Sequence, residues 1–585
     1  MSRLQAMLST VEQALAGGRF EEARQTLMRA LQRDPSNGPL CNAMAVTLVM
    51  LRQHEQALFY AQRAAKALPD DGEAASTLGS ILALLGRAAE AVPVLERAIA
   101  LSPRSPNPRL GIANALGSLN RHSEVVEHCR AGLAVAPDDQ DLTVKLTFGL
   151  LSCGQADEAV AFSGKALERR PDDSVLASWR AFALNYLPDP DPAQVRSAHE
   201  QYGRLVETAH PPRPQSPPRE PARPGGSLRV GLVSPDFRTH SVAYFVEPLL
   251  RHLDRDRVEV TCYSTSKTQD QTTRRLKDLA AHWRPCAGLA DAALADRIRS
   301  DRIDILFDLA GHTSDNSLPV FAMRPAPIQA TWCGYPATTG LTAIDWRLVD
   351  SITDPAGSES HCVEKIMRMD PCFLCYQPPD ASPPVGPSPA EAAGHVTFGS
   401  FNTLLKLNTR VVETWARILR ETPGSKLMLK ATQLADSRVR GWTVDRFAAA
   451  GIDPARIDVL EATASQHDHL ALYHRMDIAL DPFPYAGTTT TCEAMWMGVP
   501  VVTLAGRSHA GRVGLSLLSA VGMDELAAPD VDSYVALAVG LAGDRARTAS
   551  LRASTRDRVA SSVLCDGPAF AGRFESALHA MVRGG

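Results

Sequence analysis

The sequence predicts an α-solenoid of stacked helical repeats followed by two doubly wound α/β halves. Three observations carry this reading. Prolines 35, 69, 103, 137 and 171 stand 34 residues apart. Beyond residue 227, short β-branched runs alternate with helical segments. Two proline-rich stretches interrupt the chain where the pattern changes.

Each repeat proline closes a segment such as ALQRDP, AKALPD, AIALSP, GLAVAP or LERRPD. Two further series keep the same spacing: Ala23, Ala57, Ala91, Val125 and Ala159, and then Ala45, Gly79, Ala113, Thr147 and Ala181. Inside a unit, apolar residues recur at three and four in two stretches, AASTLGSILALLG and AEAVPVLERAIAL for example, so each unit reads as helix, turn, helix. The small residues belong where paired helices approach closely. The proline follows the second helix, which its fixed φ and missing N–H bring to an end. The pattern resembles the tetratricopeptide repeat over about residues 2–187, and a repeat domain is expected at 1–187. Stacks of this kind receive extended or helical peptide on a concave face. The alternative role is a spacer or a dimer surface, which would make the protein a homodimer.

Residues 188–226 are expected to be a linker. An amphipathic DPAQVRSAHEQYGRLVETA leads into HPPRPQSPPREPARPGG, which suits neither a helix interior nor a central strand, and residues 210–226 are expected to be disordered.

The first α/β half (227–388) has expected strands LRVGLVS (228–234), VEVTCYS (258–264), IDILFDL (303–309) and DWRLVD (345–350). The second (389–585) has VTFGSF (396–401), KLMLKA (426–431), RIDVLE (456–461), DIALDPF (477–483) and VVTL (501–504). FLCYQPPDASPPVGPSPAEAAG joins them. A cleft between two such halves suits a nucleotide-bearing ligand.

Composition narrows the function. Lys and Arg number 61 against 65 Asp and Glu, a net charge of −4, so no overall positive field draws the chain to nucleic acid or an acidic membrane. The N-terminal segment lacks a signal-peptide core and no run of eighteen apolar residues occurs, which points to the cytoplasm. Eleven scattered cysteines fit reduced thiols better than a disulfide framework. Cys372 and Cys375 form a CxxC without a second ligand pair and read as packing, so no metal site is expected.

Neither GxxxxGK[ST] nor a well-placed GxGxxG occurs, so a phosphate site must come from elsewhere. The best cradle is Tyr485-Ala-Gly-Thr-Thr-Thr-Thr-Cys-Glu493, between a strand and an apolar helix. Gly487 permits a tight turn, and Thr488, Thr489, Thr490 and Thr491 offer hydroxyls and N–H groups at a helix N-terminus, more than capping needs. Glu493 can accept hydrogen bonds from ribose hydroxyls. Lys406, at the end of the first strand of its half, can supply charge to a leaving diphosphate. Asp236-Phe-Arg-Thr-His240 follows the first strand of the other half, where an imidazole can act as general base or position a donor. Gly311-His312-Thr313 is a second such loop. His467 and His469 are two apart and point to different helix faces, which favours nucleotide contact or surface over a metal pair.

These motifs together resemble the SPINDLY and O-GlcNAc transferase family of protein O-glycosyltransferases along essentially the whole chain. The stretches that carry it are SPDFRTHSVAYF (234–245), RPAPIQATWCGYPATTG (324–340), VTFGSFNTLLKLN (396–408) and MDIALDPFPYAGTTTTCEAMWMGVPVVT (476–503). THSVAYF, FLCY and YAGTTTTCE are closer to SPINDLY. The vertebrate O-GlcNAc enzyme has His in place of Thr488, Asp in place of Glu493 and a base-stacking lysine where this chain has Gln466. It also carries an asparagine ladder that has no counterpart in the 34-residue register here.

The resemblance implies a glycosyltransferase-B fold of two Rossmann-like domains and an inverting enzyme that moves a sugar from UDP-GlcNAc or GDP-fucose to Ser or Thr of proteins held by the repeats. It implies no metal and no cofactor besides the nucleotide-sugar donor. Its catalytic residues fall on His240 and Lys406. The donor-binding set is Thr313, Gly334, Asn402, Lys406, His469, Gly487, Thr488, Thr489, Thr490, Thr491 and Glu493. Two rivals stay open: a dedicated enzyme for one bacterial client such as flagellin, and a noncatalytic repeat scaffold.

Overall fold

A computed structural model describes residues 3–212 and 227–584. Most of the stretch expected to be disordered, 213–226, lies outside the described residues. Two compact units result, one of residues 1–153 with 435–439 and one of residues 154–434 with 440–585.

The first unit is helical, from Arg3–Ala16 to Gln140–Ser152, in antiparallel pairs. Ala23, Ala57, Ala91 and Val125 are buried, as are Ala45, Gly79, Ala113 and Thr147. A methyl group at Gly79 would strike the Leu95 side chain, which explains the small residue at that point of the register. A further series in the same register was not evident from the sequence. Asn37, Asp71, Asp139 and Asp173 each cap the first helix of a pair, their side chains accepting from backbone N–H groups two or three residues on.

The second unit opens with helices Ala156–Arg169, Ser174–Leu184 and Pro192–Ala209. The repeat domain is expected at 1–187, and the division between the two compact units falls inside that range, after 153. Leu167, Leu176 and Ala177 share one buried cluster with Tyr263, Leu306 and Phe321 of the first α/β half. Pro192–Ala209, read as part of a linker, joins the same cluster through Tyr202 and Val206.

The first α/β half is a parallel sheet of β1 (Leu228–Ser234), β2 (Val258–Ser264), β3 (His282–Pro285), β4 (Ile305–Asp308), β5 (Ile328–Thr331), β6 (Trp346–Val349) and β7 (Lys365–Arg368), in the order β3-β2-β1-β4-β5-β6-β7. The second comprises β8 (Thr397–Ser400), β9 (Lys426–Lys430), β10 (Ile457–Leu460), β11 (Ile478–Leu480), β12 (Val501–Leu504) and β13 (Ala527–Ala528), in the order β10-β9-β8-β11-β12-β13. The chain order reverses between β1 and β4 and again between β8 and β11. Ligands of open parallel sheets bind at the carboxyl ends of such strands. The loops singled out in the sequence, those of His240, Thr313, Lys406 and Thr488–Thr491, follow these four strands.

Helix Gly567–Gly584 returns to the first half although it lies in the range drawn for the second. Phe574 packs against Phe307 and Trp332, and Phe570 stacks on Trp332. Among the described residues no helix is long and apolar enough to cross a membrane. Cys372 and Cys375 are buried, their thiol pKa values pushed up to about 12 by burial.

Candidate functional site

In the second half, Asp481 at the end of β11 organises the loop Tyr485–Thr491. Its Oδ1 accepts from the Gly487 N–H at 2.6 Å and its Oδ2 from the Thr503 hydroxyl at 2.7 Å. Gly487 must lack a side chain, because a Cβ would come within 3 Å of Asp481 Oδ1, Thr490 Oγ1 and Thr491 Oγ1. The loop opens into helix Thr489–Trp496, with Thr488 at the N-cap. The first hydrogen bond of that helix runs from Cys492 N to Thr488 O at 3.1 Å, so the amides of Thr489, Thr490 and Thr491 have no intrahelical acceptor. The Thr489 hydroxyl is buried without a hydrogen-bond partner. The result is a ring of donors at the positive end of a helix.

Lys406 ends a short 3₁₀ turn, Leu404–Lys406. Its Nζ donates to the Ala486 carbonyl at 2.8 Å, lies 3.3 Å from Asn402 Oδ1 and sits 4.3 Å from the centroid of the Tyr485 ring. Thr490 Oγ1 donates to the same Asn402 Oδ1 at 3.2 Å. Asn402 thus joins the lysine loop to the threonine run. Burial lowers the Lys406 pKa to about 8, with the Asp481 carboxylate acting against the shift. Burial also raises Asp481 to about 6, against the hydrogen bonds it accepts from Thr503 and Gly487.

Glu493, one turn into the helix, is buried, and its Oε2 lies 2.9 Å from His469 Nε2. His469 Nδ1 lies 2.6 Å from Lys430 Nζ. An ammonium only donates, so His469 accepts at Nδ1 and donates from Nε2 to Glu493. Lys430, whose pKa burial lowers, was not singled out in the sequence. Its position at the end of β9, one strand from β8, was the available signal. His467 instead faces the Ala381 carbonyl through Nδ1 at 3.0 Å. Gln466 donates across the cleft to the Tyr244 hydroxyl of the first half.

In the first half, His240 caps helix Ser241–His252. Its Nδ1 accepts from the Val242 N–H at 3.3 Å and lies 3.6 Å from Asp236 Oδ2. Burial holds the imidazole below its usual pKa, the Asp236 charge opposing this and Arg238 adding to it. These partners belong to its own half, and no hydrogen bond among the described residues joins His240 to Lys406 or the threonines. Asp308, at the end of β4, accepts from the Ala310 and Gly311 amides and the Thr331 hydroxyl, which fixes the turn carrying Thr313. Thr313 Oγ1 donates to the Ala310 carbonyl at 2.8 Å. Gly334 presses on this turn so closely that a Cβ would collide with the Leu309 carbonyl.

His312 points away from the loop into the protein interior, toward helix Ser174–Leu184. It is buried, its Nε2 lies 2.9 Å from the Thr339 carbonyl and its Nδ1 lies 2.8 Å from Ser178 Oγ on helix Ser174–Leu184. Tyr335 makes a parallel junction, its hydroxyl meeting Asn185 Nδ2 at 2.9 Å and His199 Nε2 at 2.8 Å. Tyr186, next to Asn185, stacks on Tyr485 with ring centroids 5.0 Å apart.

The sequence model of glycosyl transferase family 41 matches residues 205–377 and 389–573, and tetratricopeptide-repeat models match 14–81 and 73–105. A probable UDP-N-acetylglucosamine–peptide N-acetylglucosaminyltransferase SPINDLY of Arabidopsis thaliana is 42% identical over 407 residues, 69% of this chain and 44% of that protein. The UDP-N-acetylglucosamine–peptide N-acetylglucosaminyltransferase of Caenorhabditis elegans is 27% identical over 463 residues, 58% of this chain and 39% of that protein. The chain therefore spans less than half the length of these curated relatives. A mutant O-GlcNAc transferase of Thermobaculum terrenum superposes with a TM-score of 0.81 at 32% identity, over 88% of this chain and 98% of the other.

Proposed function

The chain belongs to glycosyl transferase family 41, and from that premise we propose that it moves a sugar from a nucleoside-diphosphate sugar to a serine or threonine hydroxyl of a protein client. The observation that carries the reading is the junction at Asn402, which brings the Lys406 ammonium and the first turn of helix Thr489–Trp496 to one point. Breaking the bond from the anomeric carbon to the diphosphate oxygen leaves negative charge on that oxygen. An ammonium and helix amides held in place beforehand stabilise this charge without reorganisation. Glu493, oriented by His469 and Lys430, accepts hydrogen bonds from the ribose hydroxyls. The acceptor hydroxyl oxygen bonds to the anomeric carbon from the face opposite the leaving diphosphate, its proton passing to a diphosphate oxygen as the old bond breaks, and the configuration inverts.

The Val242 N–H occupies the Nδ1 lone pair of His240, so the neutral ring carries its proton on Nε2. Such a ring donates a hydrogen bond, and its role in the proposal is to orient donor and acceptor. The lysine and the amides meet the diphosphate charge, so no metal is assigned to the step. The eleven cysteines, all unpaired, fit work in the reducing cytoplasm.

The test is incubation of the purified protein with a panel of UDP-, GDP- and CMP-sugars, read by donor hydrolysis, ligand-dependent melting and mass increments on client peptides. UDP-GlcNAc and GDP-fucose come first. Transfer from at least one donor is expected. Absence of both binding and turnover with every member of the panel would refute the reading and favour a noncatalytic scaffold.

A further inference from the structure

Lys406 does not stand on its own half alone. Its ammonium rests 4.3 Å from the centre of the Tyr485 ring, and Tyr485 belongs to the loop whose next residue, Ala486, accepts the lysine's hydrogen bond. The Tyr485 ring is stacked in turn on Tyr186, at 5.0 Å and an interplanar angle of 26°. Tyr186 is 5% exposed and directly follows Asn185, which closes the repeat-derived helix Ser174–Leu184. Phe182, on that helix, packs on Tyr186 at 5.1 Å, and Asn185 is tied to Tyr335 of the first half. A rigid aromatic column therefore runs from the repeat-derived helix to the lysine of the phosphate cradle.

We propose that Tyr186 is a positioning residue for sugar transfer: by stacking on Tyr485 it fixes the ring against which the Lys406 ammonium is held, so a repeat-derived helix completes the diphosphate cradle. The stacked arrangement immobilises a side chain in a half-buried loop, and the fixed ring face attracts the ammonium placed against it. The proposal rests on the transferase reading for its kinetic consequence, while the placement of Lys406 is testable without any sugar.

The experiment compares Tyr186→Phe, Tyr186→Leu and Tyr186→Ala in the full chain, with Ser178→Ala as a control that loosens the same helix at His312 and leaves Tyr485 untouched. The first readout is the rate at which Lys406 is acetylated by an amine-reactive reagent, quantified by mass spectrometry of its peptide. The second is kcat and KM with whichever nucleotide sugar reacts. Ser178→Ala is expected to match the parent, and Tyr186→Phe, which keeps the stacked ring and loses only the hydroxyl facing Tyr485, to stay within about twofold of it. Tyr186→Leu and Tyr186→Ala are expected to raise Lys406 labelling severalfold and lower kcat about tenfold, with KM for the client within about twofold. Melting curves identify any variant that fails to fold, and Tyr186→Leu, which keeps apolar volume, then carries the test. Unchanged Lys406 labelling in the Leu and Ala variants, or an equal rise in Ser178→Ala, overturns the proposal. If the parent transfers no sugar at all, the transferase reading fails while the labelling comparison still decides the role of Tyr186.

Discussion

Burial brings Lys406 to a pKa of about 8, so the charge that the proposed reaction asks of it is present below that pH and lost above it. Asp481, raised to about 6, is ionised above that pH and loses its charge below it, weakening its hold on Gly487 and its attraction for Lys406. A bell-shaped kcat/KM profile with limbs near 6 and 8 follows. Bound diphosphate favours the charged ammonium, so the alkaline limb of kcat is expected at higher pH than that of kcat/KM. Coincident limbs, or a flat profile between pH 7 and 9, would count against the assignment. Lys406→Ala is expected to lower kcat by about 10²–10³ with donor binding reduced and melting nearly unchanged. A variant with near-parent kcat removes Lys406 from the chemistry.

At the scale of elements, what was legible depended on how much each segment carries in its own residues. β1, β2 and β12 read correctly to the residue because each is a β-branched run buried on both faces. β3, β7 and β13 are edge strands with polar or minimal sequences, HWRP, KIMR and AA. β5, IQAT, is central but holds a buried Gln329 whose amide serves the Phe321 and Ala343 carbonyls, so its polarity concealed it. The site loops were legible because they follow strands at the reversal of sheet order. The Asn402 bridge, the Lys430–His469–Glu493 chain and the Tyr186 column were not, since their partners meet only after folding. Gly334→Ala tests the loop packing. Its added methyl meets backbone, and a loss of about 1–3 kcal/mol in denaturant unfolding is expected. Unaltered stability would show that the Leu309 turn can give way.

For the whole molecule, the position of a truncation decides its outcome. Removing residues 1–153 takes away one compact unit except for 435–439 and leaves the other, 154–434 with 440–585, whole. Removing 1–187 also takes Leu167, Leu176 and Ala177 out of a cluster they share with Leu306 and Phe321. The shorter deletion is expected to bind nucleotide with a cooperative melt and lose chiefly client modification, whereas the longer one loses stability and nucleotide affinity together. Equal melting temperatures for the two would contradict this. Transfer by the intact protein is expected to persist in EDTA, because in the proposed reaction the fixed donors of the cradle meet the charge that a divalent ion meets elsewhere. Arrest by the chelator and restoration by Mg²⁺ or Mn²⁺ would assign the charge to a metal.

The return of helix Gly567–Gly584 means that the chain passes between the α/β halves twice, and the two passages are fastened to each other. Tyr376 on the outward passage donates its N–H to the Leu564 carbonyl on the return, at 2.7 Å. The halves are therefore joined by two segments laced to each other, so the connection is a double one. Gln377, the next residue, donates to the Tyr244 carbonyl on the helix that His240 caps. The double connection thus also holds the helix whose N-terminus His240 caps, so the joint between the halves and that imidazole share one element.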